Sequence, residues 1–274
     1  MIDLHLHTTA SDGRCASEEL VALARAAALT VIAVTDHDTT AATAEVSRLA
    51  SSAGMRAISG IEVTAVEAGR DVHVLGYFVE WQRPALQKFL AVQRTHRVER
   101  VGEIAARLAS LGMPLSIEPI LAEAARDSSR SIGRPQVARA MIAAGYVTTV
   151  DEAFARWLGR DAPAFVPRTG ASPEAVIATI HDAAGIASLA HPGRTGIDER
   201  IPALHAAGLD ALEAFHSDHD EAARQRYVRL AEALDLHVTG GSDFHGDPAR
   251  PVRPGSTTLP ERYWHALCEP RTDV

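Results

Sequence analysis

The feature that most constrains this chain is a series of short apolar runs that each stop at, or carry, histidine or a carboxylate. "MIDLHLH" opens the series, "TVIAVTDHD" follows, and "GIEV", "DVHVLGYFV", "IASLAHP", "LDALEAFH" and "LHVTGGSDFH" continue it. Between most of them lie stretches with helical spacing, such as "SEELVALARAAAL" and "EAARQRYVRLAEALD". Runs of this length with no alternation suit strands buried on both faces, as in parallel sheets. The opening run does alternate. Ile2, Leu4 and Leu6 fall on one face and Asp3, His5 and His7 on the other. Ser17 is a candidate N-cap for the first helix, with Glu18 and Glu19 at its positive end. Ser172 and Pro173 mark the start of a later helix, and Gly54 the end of an early one.

From about Pro84 the pattern changes to helical periods rich in arginine. "PALQKFLAVQRTHRVERVGEIAARLASLG", "SIEPILAEAAR", "GRPQVARAMIAAG" and "VDEAFARWLG" follow one another with no strand pattern between them. We expect residues 1–99 and 167–274 to form one barrel and residues 100–166 an all-helical insertion that caps a substrate site. Strand–helix units on both sides of the insertion predict a closed or nearly closed α/β barrel, with its chemistry at the carboxyl ends of the strands. The hairpin-like spacing of "MRAISGIEVTA" and "DVHVLGYFV" breaks the regular alternation. The Pro- and Arg-rich last ~20 residues read as a covering loop.

Composition narrows the function. The net charge is −8, which argues against duplex DNA as a partner, because counterion release needs a basic face. No apolar run reaches the ~18 residues of a membrane span. No basic segment followed by an apolar one opens the chain. The two cysteines, Cys15 and Cys268, form no Cys-x-x-Cys pair and read as free thiols in a reducing compartment, so a cytoplasmic location is expected; with no interface signature in the sequence, a monomer is expected. Histidine, at 13 residues, is abundant.

In an extended strand residues i and i+2 point the same way, so His5 and His7 can serve one ion. Glu62 and Asp243 would arrive from other strands, and Asp243 and His245 repeat the spacing so that each can serve a neighbouring ion. Mixed nitrogen and oxygen donors suit Mn, Zn or Fe and fit Ca or Mg poorly. The donor supply predicts two or three divalent ions, Mn first among them. His96, His181, His205, His219, His237 and His265 lack carboxylate partners in the pattern and read as surface or hydrogen-bonded histidines.

The motifs "DLHLHTTASDG", "TDHDT", "GIEV" followed by His73, "AHP" and "GSDFH" together resemble the PHP (polymerase and histidinol phosphatase) family, over about 1–80 and 170–250. The resemblance implies a distorted (β/α)7 barrel with a trinuclear metal centre. The "SDG" after the first motif and the helical insertion are similar to the stand-alone branch acting on nucleotides. That branch includes 3',5'-bisphosphonucleotide phosphatases and 5'-to-3' exoribonucleases. Asp12 stands where the histidinol phosphatase branch often has histidine. By position, His5, His7, Glu62 and Asp243 would hold one ion and Asp12, His37 and His245 a second. Glu62 would bridge to a third, completed by His73 and His191. His216 is left as a ligand, a general acid or a phosphate contact.

The expected chemistry is hydrolysis of a phosphoester by activated water, with Asp12, His191 and His216 as the catalytic candidates. Arg130 and Arg134 stand just before and at a helix start, where arginine forks and helix dipole both suit a phosphate. Arg97, with Arg94, is a further candidate on the preceding helix. The expected substrate is a nucleoside 3',5'-bisphosphate cut at its 3'-phosphate. Short 5'-phosphorylated RNA is the alternative, and a non-catalytic metal-binding module is the reading from another class.

Overall fold

The structure is a computed structural model and describes residues 1–269. Seven strands form one sheet in sequence order: β1 (Ile2–Leu6), β2 (Val31–Val34), β3 (Arg56–Glu67), β4 (Arg70–Tyr77), β5 (Ile186–Leu189), β6 (Ala211–Phe215) and β7 (His237–Gly240). β1, β2 and β3 are parallel, as are β5, β6 and β7. β4 runs against both of its neighbours, β3 and β5. The sheet nearly closes where the segment after β7 lies along β1, through a Leu6–Phe244 bridge and a 2.9 Å bond from the Asp243 amide to the His5 carbonyl.

The helices are α1 (Ser17–Ala26), α2 (Thr43–Ser52), α3 (Pro84–Ser110), α4 (Glu118–Arg126), α5 (Arg134–Ala143), α6 (Val150–Ala153), α7 (Pro173–Asp182), α8 (Pro192–Thr195), α9 (Ile201–Ala206), α10 (Glu221–Ala233) and α11 (Glu261–Cys268). A π-helical turn, Phe154–Leu158, continues α6. Ser172 caps α7, accepting from the Ala175 amide, with Pro173 in the first turn. Ser17 does not cap α1: it is buried in the first turn, and Ala16 takes the cap position with no side-chain bond. Part of the terminal segment expected as loop is α11, which buries Trp264 and Leu267 against the barrel core. Residues 270–274 lie outside the described residues.

Two cores serve the barrel. Leu4, Ile61, Val74, Leu189 and Leu212 belong to the larger one, and Leu20, Ile32 and Val46 to one between the first two helices and the sheet. A third core, with Val101, Ile104, Leu108, Val137, Met141 and Leu158, belongs to the helical segment. α3 joins the two regions without a break. Its first half buries Leu86 and Leu90 in the barrel core and its second half buries Ile104 and Leu108 in the helical core. The boundary drawn at 99/100 therefore marks a change of core inside one helix, with no linker there. Among the described residues, no helix is long and apolar enough to cross a membrane.

Candidate metal centre and its arginine pocket

β1 places Asp3 and His5 in the barrel interior, and His7 follows just past its end; all three are fully buried. Glu62 and His73 were expected at strand termini. Both lie inside long strands instead, because β3 and β4 form a hairpin that rises past the rim. Thr64 pairs with His73 across that hairpin, which puts His73 on the same face as Glu62 two residues away. His37 follows β2 and bridges Glu62. His191 follows β5, and Asp243 and His245 follow β7.

These side chains converge. His5 Nε2 and His7 Nε2 are each 3.3 Å from Glu62 Oε2 and 3.3 Å from Asp243 Oδ1. Donors this close together could share one cation. Asp12 Oδ1 is 3.2 Å from His245 Nε2, and Asp12 Oδ2 is 3.6 Å from His37 Nε2. The other Glu62 oxygen, Oε1, faces His73 Nδ1 at 2.7 Å and His191 Nε2 at 3.1 Å. His7, Asp12, His37 and His245 offer donors within 4.8 Å of one another, and so do His5, His7 and Glu62, and His37, Glu62 and His73.

The donors fit cations better than they fit each other. Both ring nitrogens of His7, and Nδ1 of His37, His73 and His191, are buried without a hydrogen bond despite the nearby carboxylates. Buried polar atoms are rarely left so. One lone pair per ring given to a cation, in place of a donor aimed at an acceptor, accounts for orphans such as Nδ1 of His37 and His73. Burial alone would raise Asp12, Glu62 and Asp243, but the surrounding imidazoles hold all three well below the carboxylate range. Burial lowers His37 to about 3 and His191 to about 4, leaving neutral rings with lone pairs to give. His7 goes the other way. Burial would lower it, but Asp243 and Glu62 raise it to about 10, the mark of a cluster short of positive charge.

Residues with no place in the sequence reading hold this centre. Glu213, fully buried in β6, accepts from His5 Nδ1 through Oε1 at 2.8 Å and from the His191 amide through Oε2 at 2.7 Å. That amide belongs to a residue at φ +28°, and Asp243 stands at φ +56°. Non-glycine residues in this region cost free energy that the surroundings must offset. Asp36 accepts from the Thr8 amide and hydroxyl and from Ser11, fixing the loop that carries Asp12. His219 donates Nδ1–H to the Ala214 carbonyl and accepts from the Gly193 amide. It is a hydrogen-bonded structural histidine, as expected.

A cavity of about 460 Å³ opens over the centre. His37, Glu62, His73, His191 and Asp243 line one side, and Arg97, Arg100, Arg134 and Arg168 another. Asp38 accepts from Arg97 Nε at 2.5 Å and from Arg168 at 2.8 Å, and Asp71 meets Arg100 at 3.1 Å and Arg134 at 2.9 Å. Burial would raise both carboxyls; the arginines pull Asp38 down to about 2 and Asp71 lower still. Burial lowers Arg134 and Arg168 to about 10, so both stay charged at neutral pH. Arg100 Nη2 and Arg168 Nε are buried with no partner.

The expected arginines divide. Arg134 and Arg97 line the cavity. Arg130 does not: it pairs with Glu123 at 2.7 Å and donates to the Thr9 carbonyl, so its charge is spent within the protein. Arg94 is likewise taken, by the Ser128 and Asp38 carbonyls. His216 is fully buried beside Asp243, behind the residues that line the cavity. Arg100, Arg139 and Arg168, which do line it, were missed. Arg100 lies three residues after Arg97 on the same helix, a signal that was available; Arg168, in "FVPRTG", gave none.

Comparison with known proteins agrees with the centre. The PHP domain model matches residues 3–133. A 5'-3' exoribonuclease of Haemophilus influenzae is 36% identical over 248 residues, 89% of each chain. A 3',5'-nucleoside bisphosphate phosphatase of Chromobacterium violaceum is 31% identical over 258 residues, 92% of this chain and 90% of the relative. A phosphoribosyl 1,2-cyclic phosphate 1,2-diphosphodiesterase of Eggerthella lenta is 33% identical over 253 residues, 89% and 94%. The solved structure of a Chromobacterium violaceum protein described as an amidohydrolase with bound sulfate superposes with a TM-score of 0.87 at 31% identity, covering 97% of this chain and 95% of the other. With its nearly closed α/β barrel, its convergent histidine–carboxylate cluster and relatives of this similarity along almost its whole length, the chain belongs to the PHP domain family of metal-dependent phosphoesterases.

Proposed function

We propose that this chain removes the 3'-phosphate of nucleoside 3',5'-bisphosphates, releasing a 5'-nucleotide. The observation that carries the reading is the charge balance of the arginine wall. Among the described residues, Arg97, Arg100, Arg134 and Arg168 form ion pairs with two carboxylates, Asp38 and Asp71, a surplus of two positive charges beside an anionic metal centre. A phosphate dianion matches that surplus, and the unpartnered Arg100 Nη2 and Arg168 Nε are donors for it. One phosphate at the centre and a second at this wall is what a bisphosphate offers. A cavity of about 460 Å³ has the size of a small-ligand site.

In this reading His5, His7, Glu62 and Asp243 hold one divalent ion, and Asp12, His37 and His245 a second. His73 and His191, with Glu62 between, complete a third; Mn is the expected metal. Such ions, when bound, make a water acidic enough to attack near neutral pH and offset charge on the phosphate oxygens. The chain's own residues set the geometry. Arg134 and Arg168 hold the distal phosphate, residues 100–166 act as the cap that carries Arg100 and Arg134, and Asp38 and Asp71 pre-orient the guanidinium groups. Holding the substrate at two points confines the reacting phosphorus to one approach.

A second reading is removal of 5'-nucleotides from short 5'-phosphorylated RNA, favoured by the name of the 36% identical relative and served by the same two anchors. Phosphate and nucleotide release with Mn²⁺ separates the two. Inorganic phosphate and 5'-AMP from adenosine 3',5'-bisphosphate, outpacing mononucleotides from a 5'-phosphorylated RNA, is the expected result. Mononucleotides from RNA with little phosphate from the bisphosphate would reverse the order.

A further inference from the structure

We propose that the helical cap sets the position of Asp12, with Gln136 and Arg139 as positioning residues for the ion held by Asp12, His37 and His245. The proposal rests on the metal centre described above and goes further by making α5, a helix outside the barrel, part of that ion's support. Four successive carbonyls of the loop after β1 accept from the cap. The Thr9 carbonyl accepts from Arg130, the Ala10 carbonyl from the Ser131 amide at 2.8 Å, the Ser11 carbonyl from Gln136 Nε2 at 2.9 Å and the Asp12 carbonyl from Arg139 Nη1 at 3.2 Å.

A peptide unit is planar, so holding its carbonyl fixes the whole unit. The Ser11 carbonyl belongs to the peptide before the Asp12 Cα, and the Asp12 carbonyl to the peptide after it. Gln136 and Arg139 therefore fix both planes that flank this Cα, and with them the direction of its Cα–Cβ bond. Along that direction the carboxylate reaches His245 Nε2 at 3.2 Å and His37 Nε2 at 3.6 Å. The barrel holds the same loop at other points. Asp36 accepts from the Thr8 amide and the Ser11 hydroxyl, and the Arg14 amide donates to the His245 carbonyl at 2.8 Å. None of those three bonds is made by the two peptides beside Asp12.

α5 is a firm base for this grip. It buries Val137, Ala138 and Met141 in the helical core. Its first turn is closed by Gln136, whose Oε1 accepts from the Gly133 amide at 2.9 Å. The Gln136 side-chain amide is thus used at both ends. Its partners are backbone groups of fixed polarity, an N–H that only donates and a carbonyl that only accepts, and they decide which end is Oε1 and which Nε2. Arg139 is among the residues that line the cavity and Gln136 is not, so a change at Gln136 alters no lining side chain.

The test is Gln136→Glu in the full chain. Glutamate keeps an acceptor for the Gly133 amide, as in a capping box, and sets a carboxylate against the Ser11 carbonyl. Amide hydrogen exchange of the chelated protein reads the loop with no metal present: faster exchange is expected over residues 9–14, with α1 and α5 unchanged. Titration with Mn²⁺ reads the site. One ion per chain is expected to bind about tenfold more weakly, with the other ions unaffected. By charge alone the added carboxylate would tighten a cation, so a loss reports position. Arg139→Met keeps the stem but removes the donor to the Asp12 carbonyl and a positive charge. It is expected to weaken the same ion, against the sign of the charge change, and it serves as the second variant if Gln136→Glu does not fold. Unchanged Mn²⁺ affinity in the folded variant, whatever the exchange shows, would overturn the proposal. Asp12→Asn separates that failure from failure of the centre. If Asp12→Asn weakens one ion and Gln136→Glu weakens none, only the positioning role falls; if Asp12→Asn also weakens none, Asp12 is no ligand and both fall.

Discussion

Glu213 makes no contact with the cavity, yet it holds one ligand's ring and another ligand's backbone. Glu213→Gln keeps the shape and loses the pure acceptor at His5 Nδ1. Its metal affinity is expected to fall by about 10- to 100-fold, with the far-ultraviolet circular dichroism unchanged; isothermal titration with Mn²⁺ reads this, and an unchanged affinity would remove Glu213 from the centre's support. Arg168→Ala is expected to leave metal binding intact and to lower kcat/KM on a bisphosphate by about 2 kcal/mol or more, roughly 30-fold. Equal losses on substrates with and without the distal phosphate would show only a structural role. At this scale the ligands were the legible part. Histidines and carboxylates at i, i+2 spacing on strands announce themselves in sequence. Glu213 sits inside the apolar run "ALEAF" and its role depends on which strand lies beside it; Arg168 shares Asp38 with Arg97 of α3, and Asp71 is shared by Arg100 of α3 and Arg134 of α5. Partnerships of that kind have no local signature.

Elements carry the centre by their endings and close approaches. Gly241 follows β7, where a Cβ would lie 2.4 Å from the His5 amide nitrogen and 2.8 Å from Asp3 Oδ1. The near-closure of the barrel needs that approach, since the adjoining Asp243 amide bonds the His5 carbonyl. Gly241→Ala is expected to destabilise the fold by about 1–3 kcal/mol, read as a lower urea midpoint with an unchanged slope; an unchanged midpoint would contradict the closeness of these segments. The parallel strands and their helices were legible from apolar runs alternating with helical periods. The long hairpin of β3 and β4 was only half legible. Its turn showed, but the extension that carries Glu62 and His73 inside strands depends on pairing across eight positions. The Ser17 cap failed for a local reason, since the helix starts one residue earlier than the serine rule places it.

The molecule as a whole joins a barrel that collects negative charge on buried carboxylates to a helical segment that brings positive charge, with α3 built into both cores. Cations bound to the native centre and not to the unfolded chain stabilise the fold by mass action, about 2.7 kcal/mol at a hundred times Kd for one site. Mn²⁺ is therefore expected to raise Tm by several degrees over the chelated protein in a thermal melt, and an identical Tm with and without the metal would contradict the centre. The acidic net charge, −8, concealed the basic pocket because a sum over the chain does not show that Arg97, Arg100, Arg134 and Arg168 are gathered on one wall of the cavity.

The most direct test of the two-anchor account compares adenosine 3',5'-bisphosphate with adenosine 3'-monophosphate in the wild type and in Arg134→Ala. Only the bisphosphate has a group for the arginine wall. The account predicts that the wild type prefers the bisphosphate in kcat/KM and that Arg134→Ala abolishes most of that preference while sparing the monophosphate. Equal loss on both substrates, or no preference in the wild type, would contradict it.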